Sequence, residues 1–301
     1  LVGLLDSWSD SEVADRQKRI ARGLLLSGMS LSALGTGFCS GALDLSAEMT
    51  SLQLFAEAEA RYTRAIQVAG RTGQTDIVNA ATLGRARMRL YLGNTSGALA
   101  DAQTIPAGFY YGATTSNAGP ETANRVFYST WYSGHLGIPS WYQTATVEGV
   151  PDPRLRGVSD PLRLRLADGR LFWGVTKYMK GDDPLPLARY AEAQLIIAEI
   201  QGGQEAVGII NALRADPHGL PAFASTDAAA IASQVLEERR RELFVEGLRA
   251  YDLRRANLPL FPPAGADYAW DFKKFGTYGT ATCVPLPAVE ILNNPQIIYG
   301  G

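Results

Sequence analysis

Residues 237–255 read EERRRELFVEGLRAYDLRR. A run this charged ordinarily belongs to a solvated helix, yet apolar residues thread regularly through it. Leu236, Leu243, Phe244, Leu248 and Tyr251 recur at helical spacing and predict one buried stripe. Glu237/Arg241, Glu238/Arg241 and Glu246/Arg249 stand three or four positions apart, where residues of one helix pair at about 0.2–0.5 kcal/mol each. The pattern predicts a helix running through the whole stretch. Glu242, Glu246, Arg249, Asp252 and Arg254 read as structural rather than catalytic, with a partly desolvated Glu246/Arg249 pair fixing how the helix docks. Removing one partner of such a pair costs about 3–5 kcal/mol.

Other segments fall into a consistent order around this one. Upstream lies LARYAEAQLIIAEI (187–200), in which Arg189 opens an Arg-Tyr-Ala-Glu start, followed by AVGIINALR (206–214) and Gly219-Leu220-Pro221. Downstream lies VPLPAVEILNNPQ (284–296). Asp152-Pro153-Arg154 and Thr176-Lys177-Tyr178 fit the same scheme less specifically. Taken together, the ER/EL/EG/R/DLRR order and these segments resemble the C-terminal part of the SusD/RagB family of surface nutrient-binding lipoproteins. The resemblance implies a mainly α fold of tetratricopeptide-like helical hairpins carrying a loop-rich, aromatic insertion and a few short strands. It implies binding of an oligosaccharide or peptide nutrient and delivery to a SusC-like TonB-dependent transporter. It also implies a lipid anchor in the outer membrane at the cell surface. Family members have a longer N-terminal portion; this chain starts at Leu1 and is read as a fragment or processed form, with the anchor outside it.

Composition is compatible with that reading. With 301 residues, 46% hydrophobic and 19% charged, the chain can bury a sizeable core. A formal charge of −2 supplies no broad basic field, so nucleic acid is not an expected partner. Residues 23–43, GLLLSGMSLSALGTGFCSGAL, form a long uncharged stretch, but its Gly, Ser and Thr content falls below what a spanning helix of about 20 apolar residues requires. A buried helix in close contact with its neighbours is expected there. Cys39 and Cys283 are the only cysteines and read equally as one long-range disulfide or two buried thiols. His135 and His218 have no ligand-spaced neighbours, and no metal or cofactor is expected.

The whole chain, 1–301, is read as a single domain. A helical scaffold is expected over 10–104 and 187–255, the insertion over 105–186, and a closing segment over 256–301. Residues 52–69, 75–92 and 97–104 predict helices, and a second hairpin is expected over 187–213. Within the insertion, residues 171–179 predict a strand, and a second aromatic loop spans 268–278.

The insertion also holds the candidate ligand contacts, Tyr110, Tyr111, Trp131, Tyr132, Trp141 and Tyr142. Aromatic faces suit the apolar C–H face of a pyranose, while aromatic loop residues also serve as anchors. At least one of Trp131 and Trp141 is expected to face ligand, with Asn124, Arg125 and Gln143 as hydrogen-bonding neighbours. No GxSxG, HExxH, Walker or GxGxxG motif occurs, and no catalytic residue is assigned. The competing reading is a protein-interaction scaffold in which the aromatics merely pack the insertion; an unrecognised hydrolase ranks behind both.

Overall fold

The computed structural model describes residues 2–134, 136–138, 140–159, 172–267 and 276–297; His135, the side chain of Trp141 and most of the 268–278 loop lie outside the described residues. The first helices are α1 (Val2–Ser7), α2 (Arg16–Gly37), α3 (Ser51–Arg71), α4 (Thr75–Tyr91) and α5 (Thr95–Ala102). Between α2 and α3, strands β1 (Ser40–Gly41) and β2 (Met49–Thr50) form a short ribbon. A reciprocal capping box starts α3: Thr50 Oγ1 accepts from the Gln53 amide, and the Thr50 amide donates to Gln53 Oε1.

Small residues bring α2, α3 and α4 together. A Cβ added to Gly28 would lie 2.7 Å from the Tyr62 ring, and one on Gly84 would lie 2.5 Å from it. Tyr62 is therefore wedged between two helices at positions only glycine fits, with its hydroxyl 3.0 Å from Ser32 Oγ. The uncharged stretch at 23–43 thus supplies the expected packing helix as far as Gly37, and continues beyond it as extended chain through β1. Among the described residues no helix is long and apolar enough to cross a membrane.

The insertion leaves the scaffold through β3 (Tyr110–Ala113). It continues through α6 (Arg125–Phe127), a π-helical turn over Tyr128–Tyr132, and α7 (Ser140–Gln143). Strands β4 (Thr146–Val147), β5 (Val150–Pro151), β6 (Gly157–Ser159) and β7 (Trp173–Val175) follow, with a 3-10 turn at Pro153–Leu155. Antiparallel pairing of β6 with β7 accounts for the strand expected near 171–179. The insertion returns through β8 (Leu185–Arg189), antiparallel to β3 with Tyr110 opposite Arg189.

The second hairpin is α8 (Tyr190–Gln201) and α9 (Gly203–Ala215), turning at Gly202 with φ 62 and ψ −155, a conformation open to glycine. Its helix starts later than residue 187 because Pro184 and Pro186 disfavour helix and β3 takes up the preceding segment as a strand partner.

The signature stretch departs from expectation. It is two helices, α10 (Ala228–Glu242) and α11 (Arg249–Arg255), followed by α12 (Ala288–Asn293) in the closing segment. Between α10 and α11 the chain turns, with Val245 at φ 58 and Gly247 at φ 79. Cations of other segments cap the end of α10: Arg189 Nη2 donates to the Glu242 carbonyl, and Lys177 Nζ to the Phe244 carbonyl at 2.9 Å. The buried face of α10 is Ile231, Val235, Glu238, Arg239 and Glu242, so charge occupies part of the expected apolar stripe.

One hydrophobic core runs through α1–α5, α8–α10 and Tyr251 of α11. Phe55, Tyr91 and Tyr251 meet there with ring centroids 4.5–5.3 Å apart. Cys39 and Cys283 form a disulfide across 244 positions of sequence, beside amide–carbonyl bonds from Cys39 to Val284 and from Val284 to Gly37. A cross-link of this kind contributes about 2–4 kcal/mol. Arg254 closes the end of α2 by donating to the carbonyls of Gly35, Thr36 and Phe38.

Candidate functional site

The aromatic turn is built from a buried cap outward. Asn124 is fully buried; its Oδ1 accepts from the amides of Val126 and Phe127, and its Nδ2 donates to the Asp183 carbonyl at 2.8 Å. It therefore positions the turn rather than offering a hydrogen bond to ligand. Trp131 anchors the other side: its indole N–H lies 3.0 Å from the carbonyls of both Val175 and Tyr178, and its ring sits where a Cβ on Gly174 would clash.

These anchors present Tyr132, 75% exposed and stacked on Tyr128 with centroids 4.6 Å apart and planes 22° apart. The Arg125 guanidinium lies 5.2 Å from the Tyr128 ring centre. The turn is thus a fixed, open aromatic plate with a cation beside it. The i,i+4 spacing of Tyr128 and Tyr132 is the sequence signal for this pair.

The remaining aromatic candidates have other settings. Tyr142 packs on Phe244 at 5.0 Å, with Arg240 over its ring. Tyr111 packs against the main core. Gln143 donates to the Ile138 carbonyl. Tyr110 is 48% exposed and lines a cavity of about 550 Å³, where β3, β8, residues 176–178, the loop after α9 and the end of α10 converge.

Beneath that cavity lies the charge network of the signature stretch. Glu242 receives Arg189 at 2.8 Å, Arg154 at 3.3 Å and His218 at 3.3 Å. Glu246 pairs with Lys177 and with Arg189, the latter at 2.8 Å, rather than with the expected Arg249. Arg249 has no ion pair among the described residues, because Glu246 sits in the turn between α10 and α11 and is taken up by Lys177 and Arg189. Glu237 does pair with Arg241, but Glu238 turns inward to Arg154 at 2.7 Å and to Arg214. Asp252 belongs to a separate buried group, with Arg239 at 3.1 Å and Arg255 at 2.7 Å.

The electrostatic consequences follow from these partners. Burial alone would raise the Glu242 carboxyl, but the His218 hydrogen bond and the charges of Arg189 and Arg154 hold it well below the usual carboxylate range. Asp252 is likewise held low, burial being outweighed by Arg239 and Arg255. Burial pushes the Lys177 ammonium down, against the opposing pull of Glu246. An ionised, cation-bound Glu242 is unsuited to donate a proton to a glycosidic oxygen at neutral pH. Among the described residues no group of three or more His, Cys, Asp or Glu side chains could hold a metal ion.

The structure thus brings Arg189, Glu242, Glu246 and Tyr110 to one cavity, and Trp131 and Tyr132 to one turn. Asp252 and Arg249 stand apart from both. Lys177 and Arg154 lie in motifs visible in the sequence, but their partners are too distant along the chain for spacing to reveal.

Comparison with known proteins gives a consistent picture. Residues 170–297 match the sequence model of the SusD family. The fold is similar to a SusD-like carbohydrate binding protein from Bacteroides vulgatus, with 14% identity, a TM-score of 0.69, and coverage of 98% of this chain and 80% of that one. It is also similar to surface glycan-binding protein A from Bacteroides uniformis, with 19% identity, a TM-score of 0.61 and coverage of 99% and 80%. A laminarin binding SusD-like protein aligns at 15% identity and a TM-score of 0.56, covering 99% and 81%. No curated protein matches in sequence. Residues 170–297 thus match the SusD family in sequence, and the chain shares the fold of SusD-like proteins.

Proposed function

We propose that this chain captures oligosaccharide at the outer face of an outer membrane and passes it, chemically unchanged, to a SusC-like TonB-dependent transporter. The observation that carries the proposal is the plate at Tyr132: an aromatic ring left open to solvent, backed by Tyr128 and held by the buried Asn124 and the half-buried Trp131. A pyranose ring stacks its C–H face on such a surface, and the fixed backing lowers the ordering cost of binding. Relatives described as glycan-binding and laminarin-binding support the ligand class. Surface location, a lipid anchor and the transporter partner are carried over from the family resemblance. Release of ligand intact accords with the ion-paired state of Glu242.

Calorimetric titration of the chain against laminarin, starch, xylan and pectin tests the proposal. Binding to at least one glycan is expected, with loss of that binding in Tyr132→Ala at unchanged melting temperature. If neither glycans nor peptides bind and the chain does not associate with a SusC-like transporter, the proposal fails. Appearance of shortened products would replace capture with hydrolysis.

A further inference from the structure

From the cavity beside Tyr110 we infer a second binding site, separate from the Tyr132 plate, that takes a small neutral sugar. None of Arg125, Tyr128 and Tyr132 lines it. Its volume of about 550 Å³ falls within the range of ligand pockets, roughly 300–1,000 Å³. Pro153, Pro184, Pro186 and Pro217 line it, and their fixed φ gives stiff walls with apolar ring faces.

Tyr110 supplies an aromatic face of set orientation. Its hydroxyl donates to the Pro184 carbonyl at 3.2 Å, and its ring covers Gly112 so closely that a Cβ there would lie 2.7 Å away. The ring remains about half exposed, 48%. Stiff apolar faces and a positioned ring match the C–H side of a pyranose.

Charge selects the neutral class. Arg154, Lys177 and Arg189 line the cavity with Asp183, Glu242 and Glu246, three cations against three carboxylates. Every one of the three cations pairs with Glu242 or Glu246, so a charged ligand gains little net attraction. Hydroxyls, however, can take charge-assisted hydrogen bonds from such a wall. Two wall residues retain capacity: Asp183 uses Oδ2 for the amides of Met179 and Lys180, and His218 uses Nε2 for Glu242. This leaves Asp183 Oδ1 and His218 Nδ1 without partners among the described residues. Polar atoms on one side and stiff apolar faces on the other form an environment for a polyol ring.

The test uses the full chain carrying Tyr132→Ala, so that the plate does not contribute. It is titrated with glucose, galactose, mannose, xylose and maltose, and with galacturonate and glucosamine as charged controls. Expected is one-to-one binding of at least one neutral sugar, with a Kd of about 1 mM or tighter, and binding of both charged sugars weaker by about tenfold or more. Adding Tyr110→Ala weakens the neutral sugar about tenfold. Adding Thr176→Trp instead, which fills the cavity while removing only a hydroxyl bonded to the Arg156 carbonyl, abolishes binding at unchanged melting temperature. The inference is overturned if no neutral sugar binds at about 100 mM, if a charged sugar binds more tightly, or if the folded Thr176→Trp chain binds as before.

Discussion

The signature stretch and the aromatic turn treat burial in opposite ways. In α10 and α11, Glu238, Arg239 and Asp252 are buried among partners, with Glu238 and Arg239 at 0% and 1% exposure. Tyr132, on the aromatic turn, stays open while the indole beside it is used as an anchor. Burying charge makes each partner costly to lose, because the remaining ion has no water to turn to. Leaving one ring exposed makes little demand on the fold. The scaffold is therefore hard to alter, and the proposed recognition surface is easy to alter, within one continuous chain.

Glu238→Ala attacks the comparison at its strongest point. It strips Arg154 and Arg214 of a fully buried carboxylate and should cost about 3–5 kcal/mol in urea unfolding. A loss below about 1 kcal/mol would place these pairs with ordinary surface ion pairs and remove the contrast. Trp131→Ala should cost about 3 kcal/mol, because both carbonyl bonds and the packing on Gly174 go with it. If stability holds and only glycan binding falls, Trp131 belongs to the recognition surface instead.

Acid sharpens the scaffold side. Glu242, Glu237, Asp152 and Asp252 all have carboxyls lowered in the folded state. Their stabilisation is fully present above the ordinary values of 4.5 for Glu and 3.8 for Asp, and is lost as pH falls from there toward the lowered ones. For these groups the urea midpoint should hold from pH 7 to about 5 and fall below that; a midpoint unchanged at pH 3 would contradict the network. Smallest in stability is Tyr132→Ala, expected within about 0.5 kcal/mol of the parent while glycan binding is lost.

Much of the scaffold was legible. Periodicity placed α3 and α4 within a few residues, and glycine content marked α2 as a close-packed helix rather than a membrane span. The break after Glu242 was not legible, because Leu243, Phe244 and Val245 continue the apolar run and only Gly247 hints at a turn. Partner choice was hidden for a different reason. Glu238 and Glu246 look toward Arg241 and Arg249 along the sequence, but Arg154, Lys177 and Arg189 reach them from distant segments. The two cysteines could not reveal their own separation in space. The aromatics stand as one group in the sequence, whereas packing divides neighbours: Trp131 turns its indole N–H to backbone carbonyls and Tyr132 lies open to solvent.

The pairing of β3 with β8 brings the departure and return of the insertion side by side, Tyr111 opposite Ala188 and Ala113 opposite Leu185. A segment that leaves and re-enters through one doorway can be exchanged like a cartridge, since its length need not displace the helices on either side. Several pins limit the exchange: Arg154 and Lys177 belong to the cartridge but lock into Glu238, Glu242 and Glu246 of the housing, Asp152 pairs with Arg241, and Tyr142 packs on Phe244. A replacement that keeps those pins and the doorway strands could bring a new recognition surface to an unchanged frame.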